Sequence, residues 1–190
     1  MAGNNKVEFG LSSLVFGTYV ETSDGITLGT PMQVPGAVSL TLENQEEESK
    51  FYADNMVYWS SYVDQGFEAE IEVARFPEEF KKTFLGYVTL SDGGISKPKN
   101  AVKPNVYFAF QGEGDIDARR VICYNATLGD VQREYKTNES SVEPVTEKVK
   151  ATVMGMNKEP FLARAIYKPG DAGYDTVLTA PTAPTVQAGE

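Results

Sequence analysis

The chain has no histidine and a single cysteine in 190 residues. Without imidazole there is no Ser-His triad, no Cys-His dyad, no imidazole-bound metal and no histidine acid–base step. A lone Cys123 can make neither an intrachain disulfide nor a thiolate zinc cluster. Its place in the strand-like run 121–128 marks it as an inert structural thiol. Long apolar runs are also missing, and nothing approaches the ~20 residues of a membrane-spanning helix. The opening MAGNNKVEFG lacks a basic segment followed by an apolar one. The expectation is a chain without a signal peptide, made and used in the cytoplasm or assembled there into something larger. Positive charge is scarce, with 17 Lys and Arg against 27 Asp and Glu and a formal charge of −10. That disfavours free binding to nucleic acid, which needs a basic footprint.

What is present favours strands. The apolar fraction of 41% is ordinary for a globular chain, and ten Phe and ten Tyr join frequent Val and Thr, residues that pack well on a pleated surface. The length fits one domain with a substantial core. We expect a mainly β body over residues 1–168 and a flexible tail over 169–190, where Gly, Ala, Pro and Thr take over.

Residues 6–21 read as one or two strands broken near Gly10–Ser13, with Ser23-Asp24-Gly25 as a turn and a short strand after it. From Ala37 to Glu43, Val38, Leu40 and Leu42 alternate with polar residues, as in a strand with one buried face. Asn44–Lys50 (NQEEESK) reads as a charged loop. The run Phe51–Val63 is apolar on both faces, so it is sandwiched in the fold or covered by a partner, and Asp64-Gln65-Gly66 reads as a turn. Phe67, Ala69, Ile71 and Val73 alternate strictly with Glu68, Glu70 and Glu72. One short helix follows: Pro77 fits its first position, Glu78 and Glu79 suit the positive end of its dipole, and Gly86 suits its exit. Phe80, Phe84 and Leu85 must pack on a sheet for so short a helix to persist. Ser91–Pro104 reads as a loop. Further strands are expected at 105–113 and 118–128, joined through Gly114-Asp115, near 131–135, at 147–154 with Lys148 and Lys150 outward, and at 161–167.

No catalytic, cofactor-binding or metal-binding residue is assigned. Asp92-Gly93-Gly94 lacks the lysine and the strand-to-helix setting of a phosphate loop. Glu113, Asp115 and Asp117 are too few for a calcium loop and read as a polar hairpin turn. The sequons at Asn125 and Asn138 read as chance matches. Two surfaces stand out. The stretch Glu43–Asn55, with Glu46, Glu47, Glu48, Phe51, Tyr52 and Asp54, is either a mobile acidic loop or one that orders against a neighbouring subunit. The face of Glu68, Glu70 and Glu72 is either ordinary solvated sheet or the lining of an acidic lumen. Three like charges on one strand face need water, cations or opposite charges nearby.

Taken in order, NKVEFGLSSLVF, TPMQVPGAVSLTLE, FYADNMVYW, GFEAEIEVARFPEEF, CYNATLG and EPVTEKVKATV resemble the major tail protein family of long-tailed, non-contractile phages and prophages of Gram-positive bacteria. The resemblance covers most of residues 5–155. It implies a β-sandwich or barrel of the phage tail-tube type with one short flanking helix. It also implies hexameric rings stacked into a tube in the virion tail, through which DNA passes without specific binding. The implied partners are further copies of the chain, the initiator or distal tail protein, the terminator, and a tape measure inside the tube. A different class of function, a carbohydrate-binding β-sandwich using the aromatic run 51–62 as stacking faces, remains open on the residues alone.

Overall fold

Strands dominate the computed structural model, which describes residues 10–53, 55–113, 118–135 and 144–186. In chain order they are β1 (Leu11–Thr22), β2 (Gly25–Leu28), β3 (Met32–Gln33), β4 (Ala37–Ala53), β5 (Met56–Val73), β6 (Val88–Thr89), β7 (Ile95–Ser96), β8 (Val106–Gly112), β9 (Arg120–Leu128), β10 (Gln132–Arg133), β11 (Glu147–Val153) and β12 (Arg164–Tyr167), with α1 (Glu78–Leu85) between β5 and β6. The main sheet runs β2-β1-β8-β9-β11-β5-β4, with β3, β10 and β12 attached to β1, β11 and β9. Its pairings among the described residues are all antiparallel. β1 also touches β4, although four strands separate them along the sheet. The sheet therefore rolls round its core toward a barrel, the route by which twisted sheets of this size bury a face.

That core is aromatic and capped by α1. Phe16, Phe76, Phe80, Phe84, Phe108, Ile71, Val73 and Val149 all lie within it, each at most 1% exposed. The Phe80 ring stacks on Phe76 at 4.6 Å and meets Phe16 edge-on at 4.9 Å. Burial of Phe80, Phe84 and Leu85, at roughly 1.5–3 kcal/mol each, holds a helix of eight residues that would not persist alone. α1 exits through Gly86 at φ 70, in the left-handed region. Its carboxylate anchor is Glu147, 2% exposed. Glu147 accepts hydrogen bonds from Phe76 N at 2.8 Å and Lys81 Nζ at 3.0 Å, and Arg133 lies at 3.5 Å. One buried acid thereby ties the entry and the first turns of α1 to β11.

Strands β8 and β9 are covered on both faces. Val106 and Phe108 face the α1 core, while Tyr107 and Ala109 face a second cluster with Ile122, Tyr124, Met156 and Val177. Asn125 has φ 51, and this left-handed residue reverses the alternation, so that Ala126 and Leu128 rejoin the first core. Its amide donates to Gly155 O at 2.6 Å and its Oδ1 accepts from Asn105 Nδ2 at 2.7 Å. With Asn125 1% exposed, that sequon is enclosed; the one at Asn138 lies outside the described residues. Cys123 is fully buried, and burial pushes its thiol up to about 12.

Several expectations are corrected. Asn44–Lys50 is not a loop but the middle of β4, and Asp64-Gln65-Gly66 is not a turn but part of β5. The chain reverses instead near Asn55, at φ 60, inside the run 51–63 read as one strand. Val38 is 54% exposed because a bulge between Ala37 and Ser39 turns it out and leaves Ala37, Leu40 and Leu42 against the core. Pro77 caps α1 from outside rather than sitting in its first turn. The loop 91–104 contributes β7, which pairs with β6. Residues 171–180 are not a free tail: Val177 is 3% exposed, Leu178 packs beside it, and Arg120 lies 4.0 Å over the Tyr174 ring. Asp92-Gly93-Gly94, read as lacking the marks of a phosphate loop, forms a plain turn, with Gly94 N donating to Asp92 Oδ1 at 3.1 Å. The residues 114–117 expected to join β8 to β9 lie outside the described residues.

Candidate functional site

The β4–β5 hairpin outgrows the sheet that carries it. Within the body, β5 is flanked on one side by β4 and on the other by β11, whose last pair is Val153 with Phe67. Beyond that point, among the described residues, β4 and β5 pair only with each other, from Glu46 with Asp64 to Ala53 with Met56. At about 3.3 Å per residue, the stretch Glu46–Ala53 reaches roughly 26 Å beyond the body. Gly66 marks the departure. Its φ is +92, and a Cβ there would lie 2.2 Å from Val153 O, so only glycine fits where β5 sheds β11. The ladder shifts between Asn44 and Glu46 at the same place, and Gly66 N donates to Asp64 Oδ1 at 2.8 Å.

This arm exposes Phe51, Tyr52, Met56, Val57, Tyr58, Trp59, Tyr62 and Val63, with Tyr58 77% and Trp59 54% exposed. Cross-strand partners share a face. Phe51 with Trp59 therefore continues the side of β4 that carries Ser39, Thr41 and Glu43, while Glu48 with Tyr62 lies on the opposite side. An isolated two-stranded ribbon is marginal in water, and this one carries exposed apolar surface on both its sides. The arm does stiffen itself. Lys50 donates to Glu48 at 2.7 Å, which holds the Glu48 carboxyl below its ordinary value. Gln65 donates to Glu47 at 2.7 Å, and Asn44 donates to Glu46. The structure thus brings Glu46, Glu47, Glu48, Phe51 and Tyr52 together on one element; Asp54 lies outside the described residues.

Glu68, Glu70 and Glu72 stand on the outer face of β5, as the alternation predicts, while Ala69, Ile71 and Val73 are buried. Their neighbours were not foreseen as partners. In register, Ser39, Thr41 and Glu43 lie on one side and Lys148, Lys150 and Thr152 on the other. Lys148 Nζ lies 3.1 Å from Glu70 and 3.4 Å from Glu72. The Glu72 carboxyl is held below its ordinary value, chiefly by the Thr146 hydroxyl and then by Lys148. The face is thus an acid–base mosaic, more acidic toward the arm, where Glu43 stands opposite Glu68. Lys148 and Lys150 were legible as outward-facing; that they fall beside these glutamates depends on the β11–β5 register.

No protein-family model matches this chain, and no curated protein matches it. Among solved structures, one similar chain belongs to the sheath–tube complex of the PVC extracellular contractile injection system in its extended state. It is 7% identical, the match covers 82% of this chain and 88% of that one, and the TM-score is 0.48. A second belongs to the tube-terminating cap of the anti-feeding prophage, 9% identical over 88% and 97% of the two chains, with a TM-score of 0.47. A third belongs to the six-fold symmetrised baseplate of the anti-feeding prophage, 7% identical over 81% and 91%, with a TM-score of 0.45. At such identities the likeness transfers no residue's role to this chain.

Proposed function

We propose that this chain is a structural subunit of a phage-type tail tube, whose copies close into hexameric rings that stack around a DNA-conducting channel. The observation that carries the reading is the β4–β5 arm, a ribbon with large apolar side chains exposed on both faces and rooted at a sheet edge. Among the described residues β4 is the last strand of the sheet. Its outer edge can add a neighbour's strand, which turns the usual hazard of an open edge into a joint. Self-contact of one surface with a different surface of the next copy generates rings or stacks. The sequence resemblance points the same way and supplies the finer elements: six-fold rings, assembly in the bacterial host cytoplasm, and the initiator, terminator and tape measure as partners. The Glu68, Glu70 and Glu72 face is assigned to the lumen, where these carboxylates and Glu43 outnumber Lys148 and Lys150 on the same face and would keep passing DNA from adhering. The role needs no catalytic group, metal or cofactor.

The test replaces residues 46–63 with an Asn-Gly turn, leaving the body pairs of β4 and β5 in place. The shortened chain should fold and stay monomeric, while the full chain forms rings or tubes under electron microscopy. Tubes from the shortened chain would defeat the proposal. The exposed Tyr52, Tyr58, Trp59 and Tyr62 also suit stacking on sugar rings. A full chain that stays monomeric and binds glycans through these rings would favour the carbohydrate-binding reading.

A further inference from the structure

The arm is acidic as well as apolar. Residues 43–66 carry six carboxylates against the single Lys50. The complementary surface occurs on the same molecule. Residues 81–104 carry five lysines against the single Asp92, in a chain whose net charge is −10. Lys81 is already paired with Glu147, and Lys97 and Lys103 with Asp130, which leaves Lys82 and Lys99 to meet an acidic partner, with Glu78 and Glu79 one turn earlier on α1. This stretch forms the later part of α1, the β6–β7 ladder and the loop leading into β8. It also exposes apolar side chains, Val88 at 47%, Leu90 at 45% and Val102 at 86%. The segments fold as one lobe: a Cβ at Gly86 would lie 2.8 Å from Val102 O, and Lys97 and Lys103 both bridge to Asp130. Lys82 and Lys99 stand outside that bridge and are exposed.

We infer that the arm of one copy docks on the 81–104 lobe of the next copy, its glutamates facing Lys82 and Lys99 and its rings covering Val88, Leu90 and Val102. This rests on the tube-subunit reading and names the surface that receives the arm. Opposite charge sets the register and speeds encounter, and apolar burial supplies most of the hold. The eight large side chains are divided between the two faces of the ribbon. At roughly 100 Å² of exposed surface each, a single contact therefore covers about 400 Å² of them, about half of one partner's share of a standard stable interface, and the other face is left for a further neighbour. Since arm and lobe are different surfaces, the contact is head-to-tail and propagates from copy to copy.

The experiment measures, by sedimentation, the concentration above which the full chain assembles. Glu46→Lys/Glu47→Lys/Glu48→Lys and, separately, Lys82→Glu/Lys99→Glu should each raise it roughly tenfold or more, with the monomer's thermal melt retained. The chain carrying both sets of changes should recover most of the loss. Carbodiimide coupling of wild-type assemblies should join Glu46–Glu48 peptides to peptides holding Lys82 or Lys99. If the lobe variant assembles as wild type while the arm variant fails, the arm docks elsewhere; this inference falls and the tube-subunit reading stands. If the chain lacking residues 46–63 assembles normally, or if wild type stays monomeric at every concentration, the tube-subunit reading falls and this inference with it.

Discussion

Trp59 offers the sharpest perturbation, because it is the chain's only tryptophan and stands 54% exposed on the arm. A tryptophan presents up to about 250 Å², so roughly 135 Å² remains to be covered by a neighbour. At about 25 cal/mol per Å², covering it contributes about 3 kcal/mol. Trp59→Ala keeps only a methyl of that and should weaken each contact by about 2–3 kcal/mol. At 1.4 kcal/mol per decade, the assembly concentration should rise roughly 30- to 140-fold. The free subunit should hardly notice: substitutions at exposed sites usually stay within about 0.5 kcal/mol, so urea midpoints of the two monomers should nearly coincide. Wild-type emission should shift to the blue as assembly proceeds, since the indole leaves water. An assembly concentration within twofold of wild type, or emission unchanged on assembly, would refute the reasoning that places Trp59 in a joint.

Three further outcomes follow from the body. Glu147→Ala leaves the Lys81 ammonium and the Phe76 N–H without their acceptor and should cost about 3 kcal/mol or more of folding stability; a urea midpoint equal to wild type would contradict the anchor. The Glu72 carboxyl sits below its ordinary value of 4.5. Its stabilisation is therefore fully present above that value and fades as pH falls through the lower folded value. Glu72→Gln should accordingly flatten the loss of stability on acidification below about pH 4.5, and an unchanged slope in urea midpoints across that range would remove Glu72 from the account. Cys123, with burial pushing its thiol up to about 12, should ignore a thiol reagent at pH 8 in the native chain and react at once in denaturant; rapid native labelling would show a core more open than described.

The elements that announced themselves were those whose pattern and partner agree. Phe67–Val73 alternates because one face meets the α1 core, and α1 shows its acidic first turn and its Gly86 exit without help from the rest of the fold. The arm hid because exposure on both faces removes the alternation on which strand reading depends. Asn44–Lys50 then looks like a solvated loop, and Asp64-Gln65-Gly66 has the composition of a turn although it serves as a bulge. The signal present was the run Phe51–Val63, apolar on both faces with nothing among the described residues to cover it. Bulges at Val38 and Asn125 escaped for a different reason: which face a residue takes after them depends on the register with β5 and β8, which the local sequence does not carry. Residues 171–180 were masked by Gly- and Ala-rich surroundings, although Tyr174 and Val177 are the side chains that dock there.

The most direct test of the central claim is electron microscopy of the purified full chain across a concentration series, with the chain lacking residues 46–63 beside it. The account predicts six-fold rings or hollow tubes from the full chain and single small particles from the shortened one. Single particles from the full chain at every concentration, or tubes from both chains, would contradict it.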